Sequence, residues 1–323
     1  MEQFNKWVPV NFTTKAILYS EEQGFTDILK TFLFKCGLRE TIIVQDPAEI
    51  GHMLHDNYWP IVFVDHTDGH QDGFSVFDGI YKTVGYELLP YVFMCSADKK
   101  VYQLFGLSAG ARGILKRPLQ PNEAGALIKQ LIPPAGDAVT NLALQISKIM
   151  NKGDFQKAIP ALTKLQQIPQ FKRGAEIALI RCDIYTGQHL KAEERLKKLH
   201  LENDKDIRVL SEMCDFYKRN CKYAEAIKYY NMIRHVHPRM TLKIWDQFML
   251  HMELDHLDEA ASILEEMHTD LTFGEMATDA VLRILIMMGI PQYSVLVTRS
   301  HPALTKHFSH FLAHQGRTNY DKY

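Results

Sequence analysis

Ile61-Val62-Phe63-Val64 is an unbroken apolar run that ends on Asp65, with Gly73 eight residues further on. A short run of this kind reads as a strand buried on both faces. Matching runs lie on either side of it: Ala16-Ile17-Leu18-Tyr19 and Thr41-Ile42-Ile43-Val44 before, Tyr91-Val92-Phe93-Met94 and Gly113-Ile114-Leu115 after. Amphipathic stretches separate them. Phe25, Ile28, Leu29, Phe32 and Leu33 fall at helical spacing, a second helical pattern begins near Pro47, and another covers Glu123 to Leu131. Strict alternation of strand and helix predicts a doubly wound α/β unit, a five-stranded parallel sheet covered on both faces. In such sheets the functional crevice lies outside the carboxyl ends of the strands, which is where Asp65 falls.

Pro133-Pro134-Ala135-Gly136 interrupts this pattern, because two prolines and a glycine stop a helix and Asp137 can cap the next one. The expected division is a first domain over 1–132, a linker at 133–136 and a helical domain over 137–323. In the second part a period appears. Ala158, Ala192, Ala226 and Ala260 are each 34 residues apart, and five residues before them stand Gly153, Gly187, Cys221 and Asp255. Phe155, Tyr223 and Leu257 occupy one place in their units, with His189 as the exception, and Gly289 and Ser294 carry the phase one unit further. A small residue in the second helix permits close helix approach, and glycine suits the tight turn between the helices. The period resembles that of the tetratricopeptide (TPR) family. The resemblance covers roughly residues 139–306, is strongest at 153–159 and 222–227, and extends to Pro238 at the family's terminal proline position. It departs early in the first helix of each unit, where the family has a small residue and this chain has Ile146, Ile180, Cys214 and Phe248. The resemblance implies an all-α TPR solenoid of five hairpins, closed by a capping helix near His301–Gln315. Its concave surface would bind an unknown protein or peptide.

The acidic and hydroxyl residues of the first part sit at the ends of its strands. Glu21-Glu22 follow the first run, Asp65 the third, Ser96-Ala97 the fourth, and Lys116-Arg117-Pro118 the fifth. Over about residues 14–132 this order resembles the response-regulator receiver family, with its flavodoxin-like strand order. The resemblance implies that Asp65 is a phosphoryl acceptor and that Glu21 and Glu22, with Asp65, hold Mg2+. It also implies that Ser96 and Arg117 bind the transferred group and that the Arg117–Pro118 peptide is cis. The chemistry suits these residue types: a carboxylate forms an acyl phosphate, acidic groups hold a metal, and a hydroxyl and a cation bind phosphoryl oxygens. The family usually has aspartates at the acidic pair, lysine at the position of Arg117, and an aromatic three residues before that cation, where this chain has Ile114. The implied partners are a histidine kinase or phosphotransfer protein, and receivers also pair with themselves, so a homodimer through the first domain belongs to the expectation.

Composition narrows the function. Formal net charge is −1 over 323 residues, with −3 on residues 1–135 and +2 on the rest, so neither part is a basic body suited to nucleic acid. The five cysteines, Cys36, Cys95, Cys182, Cys214 and Cys221, are scattered without a CxxC pair, which argues against a disulfide framework or zinc site. The most apolar run, Ala280 to Ile290, is too short for a bilayer and contains Arg283, so no membrane segment is expected. Met1 to Lys6 lacks the basic-then-apolar order of a signal peptide, and the protein is expected to be cytoplasmic. His52 with His55, and His307 with His310 and His314, share helical faces, yet a metal site needs three or four convergent ligands, so surface imidazoles are the simpler reading. No nucleophile–His–acid arrangement or phosphate-cradling glycine loop appears, and the chain reads as a non-enzyme. Two roles stay open for the first domain: a phosphorylated receiver, or a receiver-like scaffold that is not phosphorylated.

Overall fold

The structure is a computed structural model that describes residues 15–20, 22–56, 61–67, 73–83, 85–88, 90–131, 137–236, 244–256, 258–260 and 262–263. Glu21, the 133–136 linker, Pro238, the fifth repeat unit and the helix expected near His301–Gln315 lie outside the described residues.

The first part alternates as the sequence predicts: β1 (Lys15–Tyr19), α1 (Gln23–Lys35), β2 (Glu40–Val44), α2 (Pro47–Asp56), β3 (Ile61–Asp65), α3 (Gly73–Lys82), a 3₁₀ turn at Tyr86–Leu88, β4 (Tyr91–Ser96), α4 (Lys100–Ser108), β5 (Gly113–Arg117) and α5 (Pro121–Leu131). All strand pairs are parallel and the sheet order is β2-β1-β3-β4-β5. This is the doubly wound order of flavodoxin-like folds, with the chain reversing direction between β1 and β3. Successive side chains of a strand face opposite sides, and the two cores divide accordingly. Ala16, Leu18, Ile61, Phe63, Val92, Met94 and Leu115 pack with Leu29 and Leu33 of α1 and Ala124 and Ile128 of α5. Ile17, Val62, Val64 and Phe93 pack with Ile50 of α2, Phe77 and Ile80 of α3 and Phe105 of α4.

The second part is helical throughout its described residues: α6 (Ala138–Asn151), α7 (Phe155–Leu165), α8 (Lys172–Tyr185), α9 (His189–Glu202), α10 (Ile207–Arg219), α11 (Tyr223–Val236) and α12 (Ile244–Glu253). Asp137 caps α6 by accepting from the Thr140 amide at 2.7 Å. The period of the sequence is the period of the backbone. Helices α6, α8, α10 and α12 end at residues 151, 185, 219 and 253, and α7, α9 and α11 begin at 155, 189 and 223, all 34 apart. At each turn one residue takes a positive φ: Gly153 at 80°, Gly187 at 77°, Cys221 at 55° and Asp255 at 57°. Glycine takes that conformation freely, whereas the later two units place side chains there at some steric cost. Ala158, Ala192, Ala226 and Ala260 are all completely buried. Among the described residues no helix is long and apolar enough to cross a membrane.

The two parts share one core. The face of the sheet covered by α2, α3 and α4 continues into Ile177, Ile180, Ile207 and Leu210 of α8 and α10, and Leu88 of the 3₁₀ turn packs with Leu142, Ile146 and Phe171. Gly174 lies so close to the 3₁₀ turn that a Cβ there would stand 2.2 Å from the Glu87 carbonyl oxygen. Ser147 donates its hydroxyl to the Gly85 carbonyl at 2.7 Å, and the Arg112 guanidinium sits 4.8 Å from the Phe171 ring centroid. At the centre of the junction is Arg181 of α8, its side chain 8% exposed. Its Nε donates to Glu212 Oε1 at 2.5 Å, Nη1 to Glu87 Oε2 at 3.3 Å, and Nη2 to the Tyr81 carbonyl at 2.7 Å. The Tyr81 hydroxyl lies 2.8 Å from the same Glu212 oxygen. Burial pushes the Glu87 carboxyl above its ordinary range, and Arg181 opposes that.

Two expectations follow from this packing. Ala192→Leu adds a branched side chain to a contact with no exposed surface, and overpacking of this kind costs about 1–3 kcal/mol; an unchanged melting temperature would place Ala192 outside a tight helix contact. Arg181→Ala leaves Glu87 and Glu212 buried without their cation, and urea unfolding should register a loss of about 3–5 kcal/mol.

Candidate functional site

Asp65 ends the central strand β3, so its side chain emerges at the carboxyl edge of the sheet between the ends of β1 and β4. It is completely buried. The His66 amide donates to the Met94 carbonyl at 2.9 Å and fixes the backbone there. Ser20, the residue after β1, donates its hydroxyl to Asp65 Oδ2 at 3.0 Å. Arg117 ends β5 and precedes a cis Arg117–Pro118 peptide, as the family resemblance implies. Its guanidinium forks between two carboxylates: Nη2 donates to Asp65 Oδ2, and Nη1 donates to Glu22 Oε2 at 2.6 Å. The Cζ atom lies 3.5 Å from the centroid of the Phe25 ring on α1.

Asp65, Glu22 and Arg117, predicted from sequence to converge, therefore do so. Ser96 stands at the same edge of the sheet, paired in register with Arg117. Its side chain is exposed and its hydroxyl donates to the Asp98 carboxylate, while the hydroxyl that touches Asp65 itself is that of Ser20. Glu21 lies outside the described residues. Lys116 is exposed, in keeping with its opposite direction along the strand. Ser20, Phe25 and His66 are the participants that sequence reading missed. Ser20 carried a signal, since it directly follows the first apolar run. Phe25 read only as one apolar position of an amphipathic helix. His66 is buried, lies edge-on to Tyr102 with centroids 4.5 Å apart, and accepts from the Gly73 amide at its Nδ1 at 3.3 Å, which ties the start of α3 to the end of β3.

Burial dominates the electrostatics of Asp65 and pushes its carboxyl up to about 6. Arg117 and the Ser20 hydrogen bond oppose that rise, and the nearby Glu22 adds to it. The resemblance implies Mg2+ at this edge. The two described carboxylates that would hold the ion, Asp65 and Glu22, converge on the Arg117 guanidinium. Among the described residues no three His, Cys, Asp or Glu side chains group to hold a metal. As arranged, the Arg117 guanidinium stands between the two described carboxylates, and Glu21, the third implied ligand, lies outside the described residues. The paired histidines do not alter this: His52 is exposed, while the His55 side chain and His307, His310 and His314 lie outside the described residues.

No family model matches the chain and no curated protein matches it. Solved structures similar to it include receiver domains. One is the N-terminal signal receiver domain of a two-component system response regulator from Bacteroides fragilis, 16% identical, covering 38% of this chain and 98% of that one, with a TM-score of 0.33. A second is the receiver domain of a sensor histidine kinase from Pseudomonas aeruginosa, a structure with a magnesium ion coordinated in its active-site cleft. It is 15% identical and covers 37% of this chain and 97% of its own, with a TM-score of 0.33. A third, from a Francisella response regulator, is 18% identical over 37% of this chain and 96% of its own, with a TM-score of 0.32.

The raised Asp65 carboxyl sets a pH dependence with a definite sign. The folded protein holds this proton more tightly than the unfolded chain does, so the group's contribution to stability is full below about pH 4 and is lost as the pH rises through about 6. Asp65→Asn removes the titration. Between pH 4 and 7 the variant should gain on the wild type by about 2–3 kcal/mol in urea unfolding; a difference that stays flat over that range would mean that the buried carboxyl titrates normally.

Proposed function

We propose that the chain is a non-enzymatic signalling adaptor: a receiver-like domain that takes phosphoryl input at Asp65, fused to TPR-like hairpins that bind a protein or peptide. The observation that carries the reading is the pairing of a carboxylate at the switch-point edge of a doubly wound sheet with hairpins repeating every 34 residues. The input partner is a histidine kinase or phosphotransfer protein. An Asp65 oxygen attacks the phosphorus of a phosphohistidine, the P–O bond forms, the P–N bond breaks, and the imidazole leaves with the electron pair. The near-neutral charge balance supports neither nucleic acid nor membrane as a partner, and the reading puts the protein in the cytoplasm. Val101, Leu104 and Leu107 are exposed on α4 and support self-association through the receiver-like domain.

The reading is of a muted switch. Ile114, on β5 three residues before Arg117, is half-buried, and a Cβ at Gly106 of α4 would meet its Cδ1 at 2.8 Å. An isoleucine is stiff at χ1 and has no polar tip to exchange between water and interior, so it cannot swing between two states as an aromatic would. The hairpins, moreover, join the amino ends of β4 and β5, through the 3₁₀ turn and the Gly110–Arg112 segment, whereas Asp65 lies at the carboxyl edge. A second reading, a receiver-like scaffold that is never phosphorylated, draws support from the complete burial of Asp65 beneath Ser20 and Arg117.

The test is to purify the full chain with its bound protein and measure that partner's affinity by calorimetry, with and without beryllofluoride and magnesium. Asp65→Ala should retain binding, and the phosphate mimic should change affinity less than about tenfold, a coupling under about 1.4 kcal/mol. Lost binding in Asp65→Ala, or a hundredfold effect of the mimic, would require a working relay between Asp65 and the hairpins.

A further inference from the structure

The Arg117 guanidinium is enclosed on three sides. Its two Nη groups meet Asp65 and Glu22, its face lies on the Phe25 ring, and its side chain is 16% exposed. Each contact suits this group in particular. A guanidinium is planar and permanently charged, forks onto two carboxylate oxygens, and is weakly enough hydrated to stack on an aromatic ring. A magnesium ion placed between the same carboxylates asks for something different: near-octahedral oxygens at about 2.0–2.1 Å and a retained shell of water. The Asp65 oxygen that the guanidinium engages also accepts from Ser20. The fork and a hydrated ion therefore compete for the same atoms and the same space.

We propose that Arg117 is the resident cation of this pocket in place of a divalent metal, and that it bars the metal until it leaves the Glu22–Asp65 bridge. The regulatory meaning rests on the reading of Asp65 as an acceptor, because a pocket already neutralised by its own side chain takes up magnesium and phosphoryl input only after a conformational step. The cost of that step falls on the apparent metal affinity, which is reduced by the fraction of molecules in which the bridge is open.

The experiment titrates the full-length protein with magnesium chloride by calorimetry. Arg117→Met keeps an apolar stem over Phe25 and removes the charge. It should bind magnesium at least about tenfold more tightly than the wild type, a difference of 1.4 kcal/mol, and the gain should vanish in Arg117→Met/Asp65→Ala. Arg117→Lys, a point charge that cannot bridge both carboxylates, should fall between them. Equal affinities in wild type and Arg117→Met would overturn the proposal. Should Arg117→Met fail to fold, the wild type labelled with 15N-arginine decides the matter: the Arg117 side-chain signal should shift in step with magnesium binding, and binding that leaves it unmoved would also overturn the proposal. The acceptor reading is tested apart from this. An Arg117→Lys protein, which keeps a cation for the transferred group, that gains magnesium but never takes up beryllofluoride would uphold the Arg117 proposal and defeat phosphorylation at Asp65.

Discussion

Removing an arginine from water costs several kcal/mol unless its charge and its N–H groups are met inside the protein. Arg181 meets that condition with groups from both parts of the chain: Glu87 and the Tyr81 carbonyl from the α/β unit, and Glu212 from α10. Neither part could bury this cluster alone. Without α8, Glu87 would be a carboxylate in an apolar wall, and without the 3₁₀ turn Arg181 would keep Glu212 but lose its second carboxylate. Arg181 thus contributes more to arrangement than to net stability, because apolar side chains of similar size would pack the same volume without the cost of desolvating charges, whereas the network is satisfied in one geometry. Around it the close approach of Gly174 to Glu87 and the Ser147–Gly85 hydrogen bond hold the same register.

This arrangement limits what a signal can do. A change at Asp65 is at the carboxyl edge of the sheet, and the hairpins grip its amino end. Releasing the hairpins would expose the Arg181 cluster together with the apolar core that runs from Phe77 and Phe105 into Ile177 and Leu210. A ligand shifts an equilibrium only by its differential affinity for the two states, and a small group bound at the carboxyl edge has little contact through which to reach so large an interface. The surfaces closest to Asp65 are those near the edge itself, among them α4, whose Tyr102 ring meets His66 beside Asp65.

The sheet was legible because its inner strands β1, β3 and β4 are buried on both faces and so appear as continuous apolar runs, as at Ile61–Val64 and Tyr91–Met94. The hairpins were legible because close packing requires a small residue at one fixed place, and four alanines mark it. Of the site, Asp65, Glu22 and Arg117 could be placed, since position at a strand end follows from the strand itself. The direction of a side chain does not follow in the same way. Ser96 is at the edge the sequence indicates, with its hydroxyl on the nearby Asp98 carboxylate, and the hydroxyl on Asp65 itself belongs to Ser20. Arg181 was invisible for a different reason: its partners are 94 and 31 residues away, and nothing local in α8 pairs it with a carboxylate.

The two arginines show how one residue type does different work under different enclosure. Arg181 is wholly internal, has hydrogen-bond partners on Nε, Nη1 and Nη2, and can leave only if the two parts separate. Arg117 is equally charged but sits at an edge, with Glu22 exposed on its outer side. Water can replace the Glu22 contact at modest cost, because an ion pair open to solvent is worth little. The Asp65 contact is the stronger of the two, since it is buried, yet Asp65 itself is eased by protonation, its carboxyl pushed up to about 6. An arginine whose outer partner is readily replaced, and whose inner partner takes a proton as the pH falls through about 6, is held less firmly at such pH than its distances suggest. A side chain that can move without disturbing the fold therefore lies beside Asp65, and one that cannot lies at the junction with the hairpins.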